Sequence, residues 1–273
     1  MIVSFDFGIS NTDVATSEKQ TTEFYTAPSI HQPISIELLK VILDHHEIQK
    51  DSITAIGVTG GKSSDLPHSM GDIPIIKVNE VDAIGLGAKS LYGIQEASTL
   101  IVSAGTGTAC VQALDEQFNH LGGIAVGGGM LEGLGHLLFK NSNGLEIDEL
   151  ASRGSKEQLD LVIGDVVNKI GSLAPEITAV NFGKAKHTTA DTMENTSAAL
   201  CNMIGEVIGT VAYLNALLIG SSNVCFIGRT AKLQGVINGI NERLLLAGLE
   251  GQYAKNLEYA NVIGVLQYLQ KQL

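Results

Sequence analysis

Apolar and polar positions along the chain fall into runs, and one arrangement of runs occurs twice. Ile2 to Gly8 is an apolar run, Ile9–Ser10–Asn11 breaks it, and Thr12 to Thr16 is a second run. Leu100 to Ala104, then Gly105–Thr106–Gly107–Thr108, then Ala109 to Leu114 repeats the arrangement. Each predicts strand, turn, strand, with small and hydroxyl residues at a turn whose backbone N–H groups can approach an anion closely. Two such turns predict one triphosphate held between two related halves.

Between and beyond these units the period changes. Ile36, Leu39, Val41, Ile42 and Leu43 predict a helix over 36–46, and Ile53 to Val58 a buried strand stopped by Thr59–Gly60–Gly61. Ile73 to Val78 predicts another strand and Asp82 to Tyr92 a helix, the alternation of an α/β half. In the second half, Gly122–Gly123 and Gly127–Gly128–Gly129 precede an apolar helix from Met130 to Phe139. Leu159, Val162, Ile163, Val166 and Ile170 carry a helical period, Ser197 to Ile219 is a long helix, Val224 to Gly228 a late buried strand, and Ala260 to about Gln270 a closing helix. The expected division falls at Glu96–Ala97–Ser98, giving halves 1–97 and 98–273.

Charge narrows the chemistry. A formal net charge of -12 excludes a nucleic-acid or anionic-membrane surface, either of which needs a basic face. A phosphate site here must rest on backbone amides, a metal ion and a few local cations. Hydrophobic residues make up 44% of the 273 positions, enough for a large core. Cys110, Cys201 and Cys225 lie far apart in apolar surroundings and read as buried thiols, which fits a reducing cytoplasm. The amino terminus runs directly into a strand pattern without a basic n-region, so no signal peptide is expected. Met203 to Gly220 is the longest apolar stretch, but Glu206 and Asn215 interrupt it, and it reads as a core or interface helix rather than a membrane span.

Individual residues sharpen this picture. Asp6 is a carboxylate within an apolar strand, costly to bury without a partner, and a candidate for holding Mg²⁺ directly or through water. Gly60–Gly61–Lys62–Ser63 lacks the spacing of a P-loop and reads as a strand-end turn facing a ligand. Gly127 to Gly129 puts free N–H groups and a helix dipole where a nucleotide phosphate or sugar can lie. Glu80 follows a strand at the end where α/β domains bind ligands and is the candidate catalytic base; Asp82 is read as the N-cap of the next helix. The seven histidines show no zinc spacing.

Taken in order, these elements resemble type II pantothenate kinases, which phosphorylate pantothenate at the first step of coenzyme A synthesis. The resemblance rests on Asp6 with Gly8, Thr59–Gly60–Gly61, Glu80 with Asp82–Ala83, Gly105 to Thr108, Gly122–Gly123–Ile124, Gly127 to Met130 with Gly133–Leu134–Gly135, Ala179 with Asn181–Phe182–Gly183, Gly205–Glu206–Val207, and Ile227–Gly228. It implies an α/β, actin-like (ribonuclease H-like) duplicated fold with the ATP cleft between its halves, a small-molecule acceptor, and a homodimer. By resemblance Glu80 is the catalytic glutamate, Thr106 and Gly128 to Glu132 contact nucleotide, and Asn181–Phe182–Gly183 lies near the partner subunit's site. The full expected set for ATP and Mg²⁺ is Asp6, Gly8, Ile9, Ser10, Asn11, Gly105, Thr106, Gly107, Gly128, Gly129, Met130, Leu131, Glu132 and Arg229, with Asp6 at the metal. For the acceptor it is Thr108, His120, Gly122 and Asn181.

Two positions depart from the family pattern. Asp13 stands where the family carries a lysine, so a cation near the phosphates becomes an anion, and Asn119–His120–Leu121 replaces an arginine on the acceptor side. Beside pantothenate phosphorylation this leaves a related kinase for another alcohol, such as pantetheine or an amino sugar, and a nucleotide-binding regulator of impaired activity.

Overall fold

The computed structural model describes residues 1–19, 21–29, 33–95, 98–168 and 174–272. The expected boundary at Glu96–Ala97 and the position of Ile170 lie outside the described residues. The first sheet is built from β1 (Ile2–Phe7), β2 (Asn11–Glu18), β3 (Thr21–Pro28), β4 (Ala55–Thr59), β5 (Ser69–Met70) and β6 (Ile73–Lys77), in the order β3-β2-β1-β4-β6-β5. Its β1, β2 and β3 are antiparallel neighbours, while β4 and β6 continue parallel to β1.

The second sheet repeats that plan. Strands β7 (Ser98–Ala104), β8 (Thr108–Leu114) and β9 (Gln117–Ile124) form an antiparallel meander, and the later strands β12 (Val224–Ile227) and β13 (Gly251–Tyr253) add parallel to β7, giving β13-β12-β7-β8-β9. Two sheets with one shared order and direction are the duplicated actin-like architecture. Between them in sequence, β10 (Leu161–Val162) and β11 (Thr178–Val180) form a small separate ladder.

The helices are α1 (Ile36–His45), α2 (Glu80–Tyr92), α3 (Gly128–Phe139), α4 (Gly144–Ala151), α5 (Ile163–Val166), α6 (Met193–Ile219), α7 (Gln234–Leu245) and α8 (Ala260–Gln272). The buried side of α6 carries Leu200, Ile204 and Ile208 into the core of the second half with Phe226 and Ile240. By length and composition α6 alone among the described helices is apolar enough to cross a membrane, but much of it is enclosed by protein.

Helices from each half reach the sheet of the other. Helix α8, last in sequence, packs on the first sheet: Val265 and Leu269 lie over Gly57, and Ser4 Oγ donates to Val262 O at 3.0 Å. Helix α2, from the first half of the sequence, packs Ile84 and Ala88 against Ile101, Val111 and Ile227 of the second sheet. The two helices cross where Gly87 faces Ala260 O and Gly264 faces Ala83 O, so close that a Cβ at either glycine would sit 1.9 Å from a carbonyl oxygen.

Two local expectations need correction. Over the described residues 159–168 the apolar spacing does not form a helix: Ile163 N and Gly164 N donate to Ile177 O and Pro175 O, so the segment is tied to its neighbour and only the four residues of α5 turn helically. Asp82 is not an N-cap, because Asn79 caps α2, its Oδ1 accepting from Val81 N at 2.8 Å, and Asp82 lies in the first turn.

Candidate active site

The two turns that break the apolar runs come together. The first, between β1 and β2, and the second, between β7 and β8, meet with Ser10 Oγ and Thr106 Oγ1 2.9 Å apart. Each is set by a strand pair whose register runs to its end, Phe7 with Thr12 and Ala104 with Thr108. Ser29 braces the first turn, its Oγ donating to Gly8 O and its N–H to Ser10 O. Among the described residues the amides of Ile9, Ser10, Thr106 and Gly107 have no protein hydrogen-bond acceptor. Both turns therefore present unengaged donors at one place.

A cleft of about 1960 Å³ opens there between the halves. Of the expected set it is lined by Asp6, Gly8, Ile9, Ser10, Asn11, Gly105, Thr106, Gly107, Thr108, Gly128, Gly129, Glu132 and Arg229, together with Glu80 and His120. Four expected residues lie elsewhere. Leu131 is fully buried in the core of the second half, one helical step round from the cleft face of α3. Met130 and Gly122 are outside the lining, Gly122 (φ +135°) beside a register shift in the β8–β9 ladder. Asn181 is also outside it and donates to Glu206 Oε2 at 2.8 Å within a buried polar group on α6.

The glycine triplet works differently from the expectation. The N–H groups of Gly128 and Gly129 are not free: they donate to Gly105 O at 2.9 Å and Thr106 O at 3.0 Å. A Cβ on Gly127 would come within 2.7 Å of both carbonyls, so the glycines let α3 start directly against the second turn. What they supply is the shape of the turn rather than donors. Thr108 is similarly engaged, its hydroxyl donating to Val126 O at 2.8 Å.

Asp6 sits at the first-half wall, with Asn261 at the start of α8 donating Nδ2 to its Oδ2 at 2.9 Å. The turn after β4 closes over it: Gly60 holds φ +73°, and a Cβ there would lie 2.4 Å from Asp6 Oδ1. Removal from water raises this carboxyl to about 7, opposed by the Asn261 bond and reinforced by the negative charges of Asp13 and Glu80. Glu80, the first residue of α2, is exposed to the cleft. The anion at position 13 is not left alone. Arg229, arriving from the end of β12 in the second half, meets Asp13 with both terminal nitrogens, at 2.7 Å and 2.5 Å.

Sequence reading missed Thr26, Tyr259, Asn261, Lys232 and Glu258, all of which line the cleft. Lys232 and Glu258 form an ion pair at its second-half side. None stands near a glycine turn or breaks an apolar run, and Asn261 reaches Asp6 only because the chain returns after 255 residues.

The Fumble family model matches residues 97–236, more than half of the chain. The type II pantothenate kinase of Staphylococcus aureus (strain USA300) is 29% identical over 231 residues, covering 82% of this chain and 86% of the kinase. Among solved structures, component A of the (R)-2-hydroxyglutaryl-CoA dehydratase of Acidaminococcus fermentans superposes with a TM-score of 0.68 at 13% identity, over 99% of this chain and 98% of that one. A ROK family glucokinase from Streptomyces griseus, in complex with glucose and AMPPNP, superposes with a TM-score of 0.61 at 12% identity over 99% of each. At such identities the two structures establish the fold alone.

Proposed function

The chain belongs to the Fumble family, and from that premise we propose that it is an ATP-dependent kinase that transfers the γ-phosphoryl group to the primary alcohol of pantothenate. The observation that carries this is the meeting of two strand–turn–strand units, hydroxyl to hydroxyl at 2.9 Å, with unengaged amides from both. Backbone donors from two halves can hold one triphosphate without a basic surface, as a chain of net charge -12 requires. Phosphoryl transfer asks mainly for positioning and charge neutralisation, and such a cleft provides both.

In this reading the first turn (Gly8 to Asn11) and second turn (Gly105 to Gly107) hold the phosphates, while Gly128, Gly129 and Glu132 border the nucleotide on the second-half side. Glu80 orients the acceptor hydroxyl and takes its proton, and His120 and Thr108 face the acceptor. Asp6 fits Mg²⁺: it is a carboxylate removed from water, with two further carboxylates raising its proton affinity and one neutral donor as partner. Mg²⁺ is commonly held by one or two carboxylates together with phosphate and water oxygens, and Asp6 would be the carboxylate here. When bound, Mg²⁺ supplies charge neutralisation to the phosphate oxygens. The halves 1–97 and 98–273, a homodimer formed through α6, and a cytoplasmic location complete the proposal.

One observation favours a second acceptor class. Arg229 and Lys232 are the arginine and lysine among the described lining residues, and both are ion-paired, so an acceptor carboxylate would find no unpaired guanidinium or ammonium there, only the imidazoles of His45 and His120. Pantetheine carries the same alcohol without that carboxylate. Multiple-turnover ADP release with pantothenate, pantetheine, pantoate and amino sugars tests both readings. Release stimulated by pantothenate supports the first, release stimulated by pantetheine alone moves the assignment to the second, and release indifferent to every alcohol rejects a kinase.

A further inference from the structure

The cleft is rich in acid. Asp6, Asp13, Glu80, Glu132 and Glu258 line it, against Arg229 and Lys232. Lys232 is paired with Glu258 on its own side, whereas Arg229 crosses from one half to the other. Nη1 of Arg229 donates to Asp13 Oδ2 at 2.7 Å and Nη2 to Asp13 Oδ1 at 2.5 Å. Nη2 also donates to Thr26 Oγ1 at 2.7 Å, and that hydroxyl donates in turn to Asp13 Oδ1 at 2.8 Å. The ring of Tyr259 lies with its centroid 5.7 Å from the guanidinium carbon. These contacts fix the plane of the guanidinium. Its side chain stays 35% exposed, whereas that of Asp13 is 7% exposed and has turned its oxygens to Arg229 and Thr26.

Three of the five guanidinium donors are thus engaged, and the remaining two stay available on a group held rigid before any ligand arrives. Resting on the reading of this cleft as a triphosphate site, we infer that Arg229 is the cation that meets the phosphates and that Asp13 is a positioning residue that aims it. Neutralising charge for phosphates held by the first turn is delivered from the opposite half. Asp13 lies on β2, in the strand that leaves the first turn, and Arg229 follows β12 after Gly228. The pair therefore also ties the two halves together at the place where the triphosphate enters. Loss of Arg229 leaves a desolvated anion facing the phosphates, which costs more than loss of a neutral donor.

The sign of one substitution separates aiming from mere proximity. If Asp13 were only an anion beside the phosphates, Asp13→Asn would tighten MgATP binding; if it aims Arg229, Asp13→Asn weakens it. Binding of MgATP and of adenosine is measured by titration calorimetry on the whole chain, with each variant's melting curve recorded. Expected results are a loss of at least about tenfold in MgATP affinity for Arg229→Ser with adenosine binding unchanged, a weaker loss for Asp13→Asn, and recovery to within about threefold when Asp13→Lys is combined with Arg229→Ser, which returns a cation to the same spot from the other half. Should Arg229→Ser fail to fold, Arg229→Gln, which keeps a bond to Asp13, gives the same comparison. Wild-type affinity in the Arg229 variants, an equal loss for adenosine, or tighter MgATP binding in Asp13→Asn overturns the inference. Wild-type protein that does not bind MgATP at all would instead defeat the kinase reading on which the inference rests.

Discussion

At Asp6 the fold holds an acid where its charge is disfavoured, and the consequence is measurable without any substrate. Between 3.8 and about 7 the folded chain keeps a proton on Asp6 that the unfolded chain has released. Stability of the metal-free protein therefore falls as pH rises through that window. Asp6→Asn removes this slope and raises the melting temperature at pH 8 in the presence of a chelator; an unchanged slope in the variant would mean that other groups set it. Glu80 is tested by turnover. Glu80→Gln keeps shape but cannot take a proton, so turnover falls about 10²–10⁴-fold with MgATP binding and melting intact. Asp82→Asn is the control two residues along. Because Asn79 is the cap, its loss costs only about 0.3–1 kcal/mol and leaves turnover near normal. Full activity in Glu80→Gln with loss in Asp82→Asn would move the base to Asp82.

At the scale of elements, the crossing of α2 and α8 links the two walls of the site. Helix α2 begins with Glu80 and α8 carries Asn261, the partner of Asp6, so their separation bears on the spacing between Glu80 and Asp6. Gly264→Ala puts a methyl 1.9 Å from Ala83 O, a backbone atom that cannot swing aside. The helices must part, at a cost of about 1–3 kcal/mol, and turnover per folded molecule falls with it. Urea unfolding together with kinetics checks this; an unshifted midpoint with normal turnover would show that the crossing has slack. Periodicity located β1, β2, β4, β6, β7, β8, β12 and most of α1, α2, α3, α6 and α8, because each carries an apolar face long enough to read. It failed where spacing reports burial rather than backbone. Leu159 to Val166 is spaced like a helix, yet within it the amides of Ile163 and Gly164 pair with Ile177 and Pro175. Helix α7, whose cap residue Leu233 has no side-chain acceptor and whose length includes Gly235 and Gly239, left no comparable signal.

Across the whole molecule, the duplication was legible because its unit is local: two strands and the turn between them. Half of the cleft was legible for the same reason, since Asp6, Glu80 and both turns mark strand ends. The other half arises from the return of α8 to the first sheet and from Arg229 reaching β2, and separations of 255 and 216 residues leave no trace in any local window. Assembly is the next level. Leu214, Leu217 and Leu218 on α6 and Leu245 and Leu246 beside it are exposed together, which supports the proposed homodimer. Light scattering should return twice 28.7 kDa at micromolar concentration, and Leu217→Glu with Leu218→Glu should return 28.7 kDa; a wild-type monomer would remove the dimer from the account. The proposed activity stands on one step, transfer of a phosphoryl group gripped between the two turns to an alcohol in the same cleft. The most direct measurement is a single-turnover reaction of the whole chain with γ-phosphoryl-labelled MgATP and pantothenate, the products separated and the label located. The account predicts label in an organic phosphate ester at a rate that Glu80→Gln suppresses; label appearing only as inorganic phosphate, or remaining in ATP, would contradict it.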